Sequence, residues 1–253
     1  MNEATPRYDV ADREALVAAV KAHAAGFYRN HWGAADDWAS LPIMGRAKLA
    51  DTPLSARRYK GGKTLLKIVQ RGAGAFFSEW ALEDMWHERY GIPSSRPMVY
   101  FADPHETLEK AHWCYQRGML RLVGEANAEV SLFTAGRFRI DSLICDSVTL
   151  PVMLPHFESM QEPLESISIV GDSFDPQVLA SYASYAKRIR LVLSLPETGA
   201  FAEAPLCEDP LFAPYPDCLI EDVEGDLILT KLRLLVTPII RYDTGVRFTL
   251  RAA

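Results

Sequence analysis

Cysteine is sparse and unpatterned in this chain. Cys114, Cys145, Cys207 and Cys218 are its four cysteines, and no two form a C-x-x-C pair. Cys207 and Cys218 lie closest, but no other ligand-spaced Cys or His accompanies them, so reduced thiols are expected, not a disulfide framework or a zinc site. Among the six histidines, His105 and His112 are seven apart, about 10 Å along a helix, too far to share a metal. The nucleophile-elbow pattern G-x-S-x-G is missing, and no Ser, His and Asp set stands out by spacing. Gly72-x-Gly74 is too short for a dinucleotide fingerprint, and Gly61-Gly62-Lys63-Thr64 lacks the upstream glycine of a Walker loop. No zinc, haem or flavin is expected.

Basic charge is also lacking. The net charge of −6, with no block of five like charges, argues against nucleic acid or an anionic membrane as partner, since either needs clustered Lys and Arg. No apolar run approaches the roughly eighteen residues that span a bilayer. Met1-Asn2-Glu3-Ala4-Thr5-Pro6 has neither a basic nor an apolar leader region, so a cytoplasmic protein is expected. At 253 residues and 49% hydrophobic, the chain can bury one sizeable core or two small ones. No linker is evident, and the expectation is a single domain over 1–253 with a helical segment at 1–36.

Apolar periodicity predicts a helix over residues 11–30, carried by Leu16, Val17, Val20, Ala24, Phe27 and Tyr28. A strand over 65–70 ends in Arg71-Gly72-Ala73-Gly74, and a helix is expected over 78–89. Strand 99–101 is followed by Asp103-Pro104-His105-Glu106, a helix start by composition, predicting a helix to about residue 123. Further along, the pattern predicts a strand at 130–133, a helix at 138–146 and strands at 149–154 and 166–170. A helix at 176–187 and a strand at 190–193 complete this stretch. Strands at 218–223, 226–234, 238–242 and 246–250 close the chain. The fold class expected is α/β, with mixed sheets flanked by helices and a β-rich C-terminal portion.

Two segments carry a resemblance. Gly225-Asp226-Leu227-Ile228-Leu229-Thr230-Lys231-Leu232 leads into Pro238-Ile239-Ile240-Arg241-Tyr242-Asp243-Thr244-Gly245-Val246, which resembles the "G-E-L-x-x-T-x-L … P-x-I-R-Y-x-T-G-D" segment of adenylate-forming ligases, in the version of the phenylacetate-CoA ligases. Trp38-Ala39-Ser40-Leu41-Pro42, running on to Lys48-Leu49, is similar to the "W-x-x-L-P-x-x-x-K-x-x-L" entry of the same group. The resemblance spans about residues 37–246 and implies a ligase large domain. That family carries a further C-terminal lid with a catalytic lysine, and this sequence is read as a large domain without it.

The resemblance implies site residues, each with a plainer reading beside it. Gly72 and Gly74 fall where the family has a phosphate loop before a helix. The loop hydroxyls are replaced by Val69, Gln70, Gly72 and Ala73, leaving either a backbone phosphate cradle or a tight turn. Gly171, Asp172 and Ser173 resemble the "G-E-P" that lines the adenine pocket, and equally suit a strand-ending turn. Leu193-Ser194-Leu195-Pro196-Glu197-Thr198-Gly199 looks like "Y-G-x-S/T-E-x-G", in which the Glu helps hold Mg²⁺ beside the phosphates. Glu197 is therefore the candidate catalytic and magnesium residue, or else a turn glutamate facing solvent. The aromatic that stacks on adenine has become Leu193. The ribose-holding Asp has become Val246, which cannot accept a hydrogen bond; Asp243, beside Thr244, is the substitute considered.

Two functions follow from the resemblance. One is a non-catalytic, degenerate phenylacetate-CoA ligase-like protein that binds a nucleotide, an acyl or aryl acid, or a protein partner, including a second copy of itself. The other is a reduced ligase that activates a carboxylic acid with ATP and Mg²⁺. The first is preferred because several losses converge on one site.

Overall fold

The computed structural model describes residues 13–23, 26–35, 37–57, 67–71, 74–78, 99–103, 114–116, 119–123, 142–147, 150–195, 197–232 and 237–250. The chain forms two compact units, Met1–Leu82 with Leu195–Phe201 and Pro214–Leu250, and Glu83–Ser194 with Ala202–Ala213 and Arg251–Ala253. Each unit is assembled from separated stretches, so no single linker exists for composition to mark.

In the first unit, the helical stretch foreseen over 11–30 is two helices, α1 (Arg13–His23) and α2 (Gly26–Trp32). Leu16, Val17 and Val20 of α1 are buried, as are Tyr28 and Trp32 of α2, whose rings lie 5.5 Å apart. The Tyr28 hydroxyl donates to the Pro238 carbonyl at 2.6 Å, satisfying a polar group that burial would otherwise penalise. Burial also pushes the Tyr28 phenol far above its ordinary pKa, so it serves as a neutral donor. A short helix, α3 (Arg46–Asp51), follows, and β1 (Lys67–Arg71) pairs antiparallel with β2 (Gly74–Ser78).

That pairing corrects one expectation. Gly74 is opposite Arg71 in a hairpin, so the glycine turn leads into a strand, and Ser78, expected to open a helix, ends that strand. Gly72 and the rest of the predicted 78–89 helix lie outside the described residues. The first unit also holds a three-stranded sheet of β11 (Cys218–Val223), β12 (Asp226–Lys231) and β13 (Tyr242–Asp243). Beyond Asp243 the chain is irregular, and of the segments read as strands over 238–242 and 246–250 only residue 242 pairs in a ladder, beside Asp243, which was read as neither.

The second unit is built on a sheet ordered β10-β9-β8-β7-β6-β3-β5-β4. Its strands are β3 (Val99–Asp103), β4 (Cys114–Gln116), β5 (Met119–Val123), β6 (Ser142–Cys145), β7 (Ser166–Gly171), β8 (Ile189–Leu195), β9 (Gly199–Pro205) and β10 (Ala213–Pro214). Leu195 and the first residues of β9 are counted with the first unit. Strand β3 runs parallel to β5 and β6, and β6, β7 and β8 continue in parallel. β6 is buried throughout, as are five of the six residues of β7, the pattern of a sheet covered on both faces. Ser166 and Ser142, opposed in register, are buried and join through their hydroxyls at 3.0 Å.

Several predicted helices are not helices here. The stretch read as a helix from Asp103 contains β4 and β5, whose Gln116 and Met119 pair across only Arg117 and Gly118. An X-Gly two-residue connection is a hairpin signal, and the helical spacing of Tyr115 and Leu122 hid it. β6 occupies the helix expected over 138–146. The strand expected over 149–154 is a 3₁₀ turn, Leu150–Met153, running into α4 (Leu154–Ser159). The helix expected over 176–187 stops early, as α5 (Pro176–Ala180), followed by a 3₁₀ turn Ala183–Tyr185. Asp175 caps α5 by accepting from the Gln177 and Val178 N–H groups at 3.1 and 3.2 Å. The strand expected over 130–133 lies outside the described residues.

The β11–β12 hairpin turns at Glu224 and Gly225, both in the left-handed region at φ 56 and 87. The Gly225 N–H donates to Asp222 Oδ1 at 2.9 Å. Consecutive positive φ angles match the right-handed twist of the strands and favour Asn-Gly. Gly225→Ala should therefore lower stability by about 1–2 kcal/mol. Glu224→Asn should raise it by a few tenths of a kcal/mol up to about 1. The shift of the urea midpoint at unchanged slope measures both.

Candidate functional site

Leu41, Met44 and Arg46 meet residues 241–245 although some 200 positions separate them in sequence. The Met44 N–H donates to the Arg241 carbonyl at 2.7 Å, and the Asp243 N–H donates to the Met44 carbonyl at 3.0 Å. Arg241 has a left-handed backbone, φ 45, unusual for a residue with a Cβ. Its neighbours fix it there. The Arg241 N–H donates to Thr230 Oγ1 at 2.9 Å, its guanidinium reaches the Leu41 carbonyl, and its Nε stands 3.3 Å from Glu221 Oε2. This kink turns Tyr242 inward, where it is fully buried.

Tyr242 points at Glu197. Its hydroxyl donates to Glu197 Oε1 at 2.7 Å, and the same oxygen lies 3.6 Å from Arg46 Nε. Glu197 is 3% exposed, so the solvent-facing turn glutamate is excluded. A carboxylate this buried must be paired and hydrogen-bonded, and a neutral phenol and a guanidinium serve it. Burial, then the adjacent Glu197 charge, hold the Tyr242 phenol far above its ordinary pKa. It remains a donor at any working pH.

The Arg46 guanidinium also donates to the Thr244 carbonyl. Next to it Gly245 has φ 64, and a Cβ there would meet Arg46 Nη2 at 3.4 Å. The glycine thus supplies both the backbone angle and room for the guanidinium. Thr244, also buried, donates its hydroxyl to the Leu227 carbonyl at 2.7 Å and accepts the Val246 N–H at 3.1 Å. Asp243 Oδ1 accepts the Gly245 N–H at 2.9 Å. Val246 is 4% exposed, with its carbonyl 3.3 Å from the Leu227 N–H. Where the resemblance expects a carboxylate there is a buried isopropyl group.

Of the residues the sequence singled out, Glu197, Asp243 and Thr244 thus gather in the first unit around Arg46 and Tyr242. Gly74 belongs to that unit, in its hairpin. Gly171, Asp172 and Ser173 belong to the second. There Gly171 ends β7 with the Phe174 ring 3.5 Å from where a Cβ would stand. Asp172 and Ser173 are exposed, and the Ser173 hydroxyl is 3.4 Å from Asp172 Oδ1. Leu193, in the stacking position, is fully buried within β8. Pro196 lies outside the described residues. Arg46 and Tyr242 were not singled out from sequence, although both sit inside the quoted motifs. The signal was available in "R-Y", where an aromatic hydroxyl follows the residue that kinks the chain.

Cys145, Cys207 and Cys218 are free thiols. No group of three or more His, Cys, Asp or Glu suited to a metal occurs among the described residues. No helix among them is long and apolar enough to cross a membrane.

No family model matches the chain, and no curated protein does. Solved structures do. An open conformation of 2-hydroxyisobutyryl-CoA ligase in complex with 2-HIB-AMP and CoA matches with a TM-score of 0.66 and 15% identity, over 92% of this chain and 66% of that one. Wild-type E. coli MenE with a bound m-phenylether-linked analogue of OSB-AMS matches at 0.47 and 11% identity, over 76% and 44%. The chain spans less than two thirds of the length of either. The likeness to the first shows the fold alone, mixed α/β as expected from the sequence.

Proposed function

We propose that this chain is a degenerate, phenylacetate-CoA ligase-like protein of the cytoplasm that does not catalyse acid activation. It binds a nucleotide, an acyl or aryl acid, or a protein partner, a second copy included. One observation carries this: the Glu197 carboxylate, the group proposed for magnesium, already receives the Tyr242 hydroxyl on Oε1 at 2.7 Å, with that oxygen 3.6 Å from the Arg46 guanidinium. A fixed cation at that distance repels a second one, so these residues as arranged do not fit Mg²⁺, and no step is derived through it. Val246 supports the same reading, because a ribose hydroxyl directed at it finds no acceptor, a loss of roughly 1–3 kcal/mol. Gly72 and Gly74 remain proposed as a backbone contact to phosphate, Gly171, Asp172 and Ser173 as the adenine edge, and Asp243 and Thr244 as the ribose side.

The alternative is a working ligase that joins a small carboxylic acid to AMP, releasing pyrophosphate, with Mg²⁺ on Glu197. It is favoured by the retention of Glu197, Thr198 and Gly199 beside an intact Arg241-to-Gly245 turn. The solved 2-hydroxyisobutyryl-CoA ligase carries an acyl-AMP and CoA, the ligands such an activity would need.

Calorimetric titration with ATP and with AMP, each with and without Mg²⁺, separates the two. The proposal expects at most weak, millimolar binding that magnesium does not improve, and no acid-dependent pyrophosphate exchange. Micromolar, magnesium-dependent binding with exchange would establish the working ligase, and no heat at all would leave the acid or the protein partner as ligand. Val246→Asp restores the missing acceptor while leaving the backbone bonds of residue 246 in place. It should tighten AMP roughly tenfold, about 1.4 kcal/mol; no gain in a variant that keeps its melting temperature would remove residue 246 from the ribose site.

A further inference from the structure

Lysine is among the residues least often fully buried, yet Lys231, the last residue of β12, is 0% exposed. Its Nζ donates to the Ala200 carbonyl at 2.5 Å and lies 3.2 Å from Cys218 Sγ. Cys218 opens β11 directly opposite Lys231 in the ladder. Cross-strand partners place their side chains on one face of the sheet, so the lysine folds over the thiol. Cys218 is 7% exposed, and its sulfur is 3.5 Å from Asp217 Oδ1. Amine and thiol are thus held in contact by strand pairing and by the Ala200 carbonyl.

We propose that Cys218 and Lys231 form an oxidative modification site, closed by hydrogen peroxide into a side-chain sulfenamide. In the first step the Cys218 sulfur attacks one peroxide oxygen. An S–O bond forms, the O–O bond breaks, and the other oxygen leaves as water with the thiol proton, giving the sulfenic acid. In the second, Lys231 Nζ, having released its ammonium proton to water, attacks that sulfur. The N–S bond forms, the S–O bond breaks, and the departing hydroxyl leaves as water with one proton from nitrogen. Sulfur is oxidised by two electrons, and peroxide is reduced to two waters. A sulfenic acid usually condenses with a second thiol or a backbone nitrogen; here the first nucleophile it meets is the lysine amine. Because the two strands are already in register, closure needs side-chain motion only. A thiol restores the original pair by attacking sulfur and displacing the amine. This site is independent of any nucleotide chemistry.

Mass spectrometry of the full chain after hydrogen peroxide treatment and digestion beside glutamate tests the proposal. Glu221 and Glu224 lie between the two residues, so cleavage there places them on separate peptides. The expected product is those two peptides joined, lighter by two hydrogens than their sum. It should be at least tenfold more abundant than in a dithiothreitol-treated control and absent from Cys218→Ser and Lys231→Met. Recovery of Cys218 as thiol or as an unlinked sulfur acid would overturn it. So would a link that retains oxygen, or a disulfide to another cysteine. If Lys231→Met does not fold, the wild-type product compared with Cys218→Ser decides alone, because the mass and the linked residues identify the bond.

Discussion

The hydrogen bonding of residues 41–46 to residues 241–244 is the constraint on which the rest of the first unit depends. Two backbone bonds through Met44, a guanidinium from each side onto the other's carbonyls, and the left-handed Arg241 fix where Tyr242 and Thr244 can be. Glu197 is then buried without being orphaned, because a phenol and a guanidinium arrive from elements on opposite sides of it in sequence. Removing Arg46 would take the guanidinium, and straightening Arg241 would displace the phenol, from a carboxylate that is almost wholly out of water, and buried charge tolerates loss of a partner poorly.

The Pro238-to-Gly245 run does structural work: the Thr244 hydroxyl donates to the Leu227 carbonyl and accepts the Val246 N–H, Gly245 admits Arg46, and Thr230 holds the Arg241 amide. None of these needs a ligand. Val246, next in the chain, is itself buried and held to Leu227 through its backbone carbonyl.

Much of this was legible in the sequence where the physics is local. The strands at 99–101, 166–170, 190–193 and 218–223 announce themselves as short apolar or β-branched runs, and α5 was placed at its Pro176 start. Strand β6 of the second unit's sheet was harder, since residues buried throughout lose the alternation that distinguishes strand from helix. Ser142–Cys145 therefore passed for part of a helix, while the helical spacing of Tyr115 and Leu122 made β4 and β5 pass for a longer one. In the site, Glu197 stood out by its motif, but its partners are 45 positions away at Tyr242 and farther still at Arg46. No local pattern encodes such pairings; they exist only once the chain has closed on itself.

That closure has a price in time. An element that leaves the ribosome early, carrying Leu41, Met44 and Arg46, cannot complete its hydrogen bonds until residue 241 has also emerged, about 200 positions later. Contacts of such long range slow folding, because chain entropy is lost before they are gained. Through that interval α1 and α2 lack the Pro238 carbonyl that Tyr28 will cap, and their apolar faces stand exposed. Folding of the first unit therefore waits on its last-made segment.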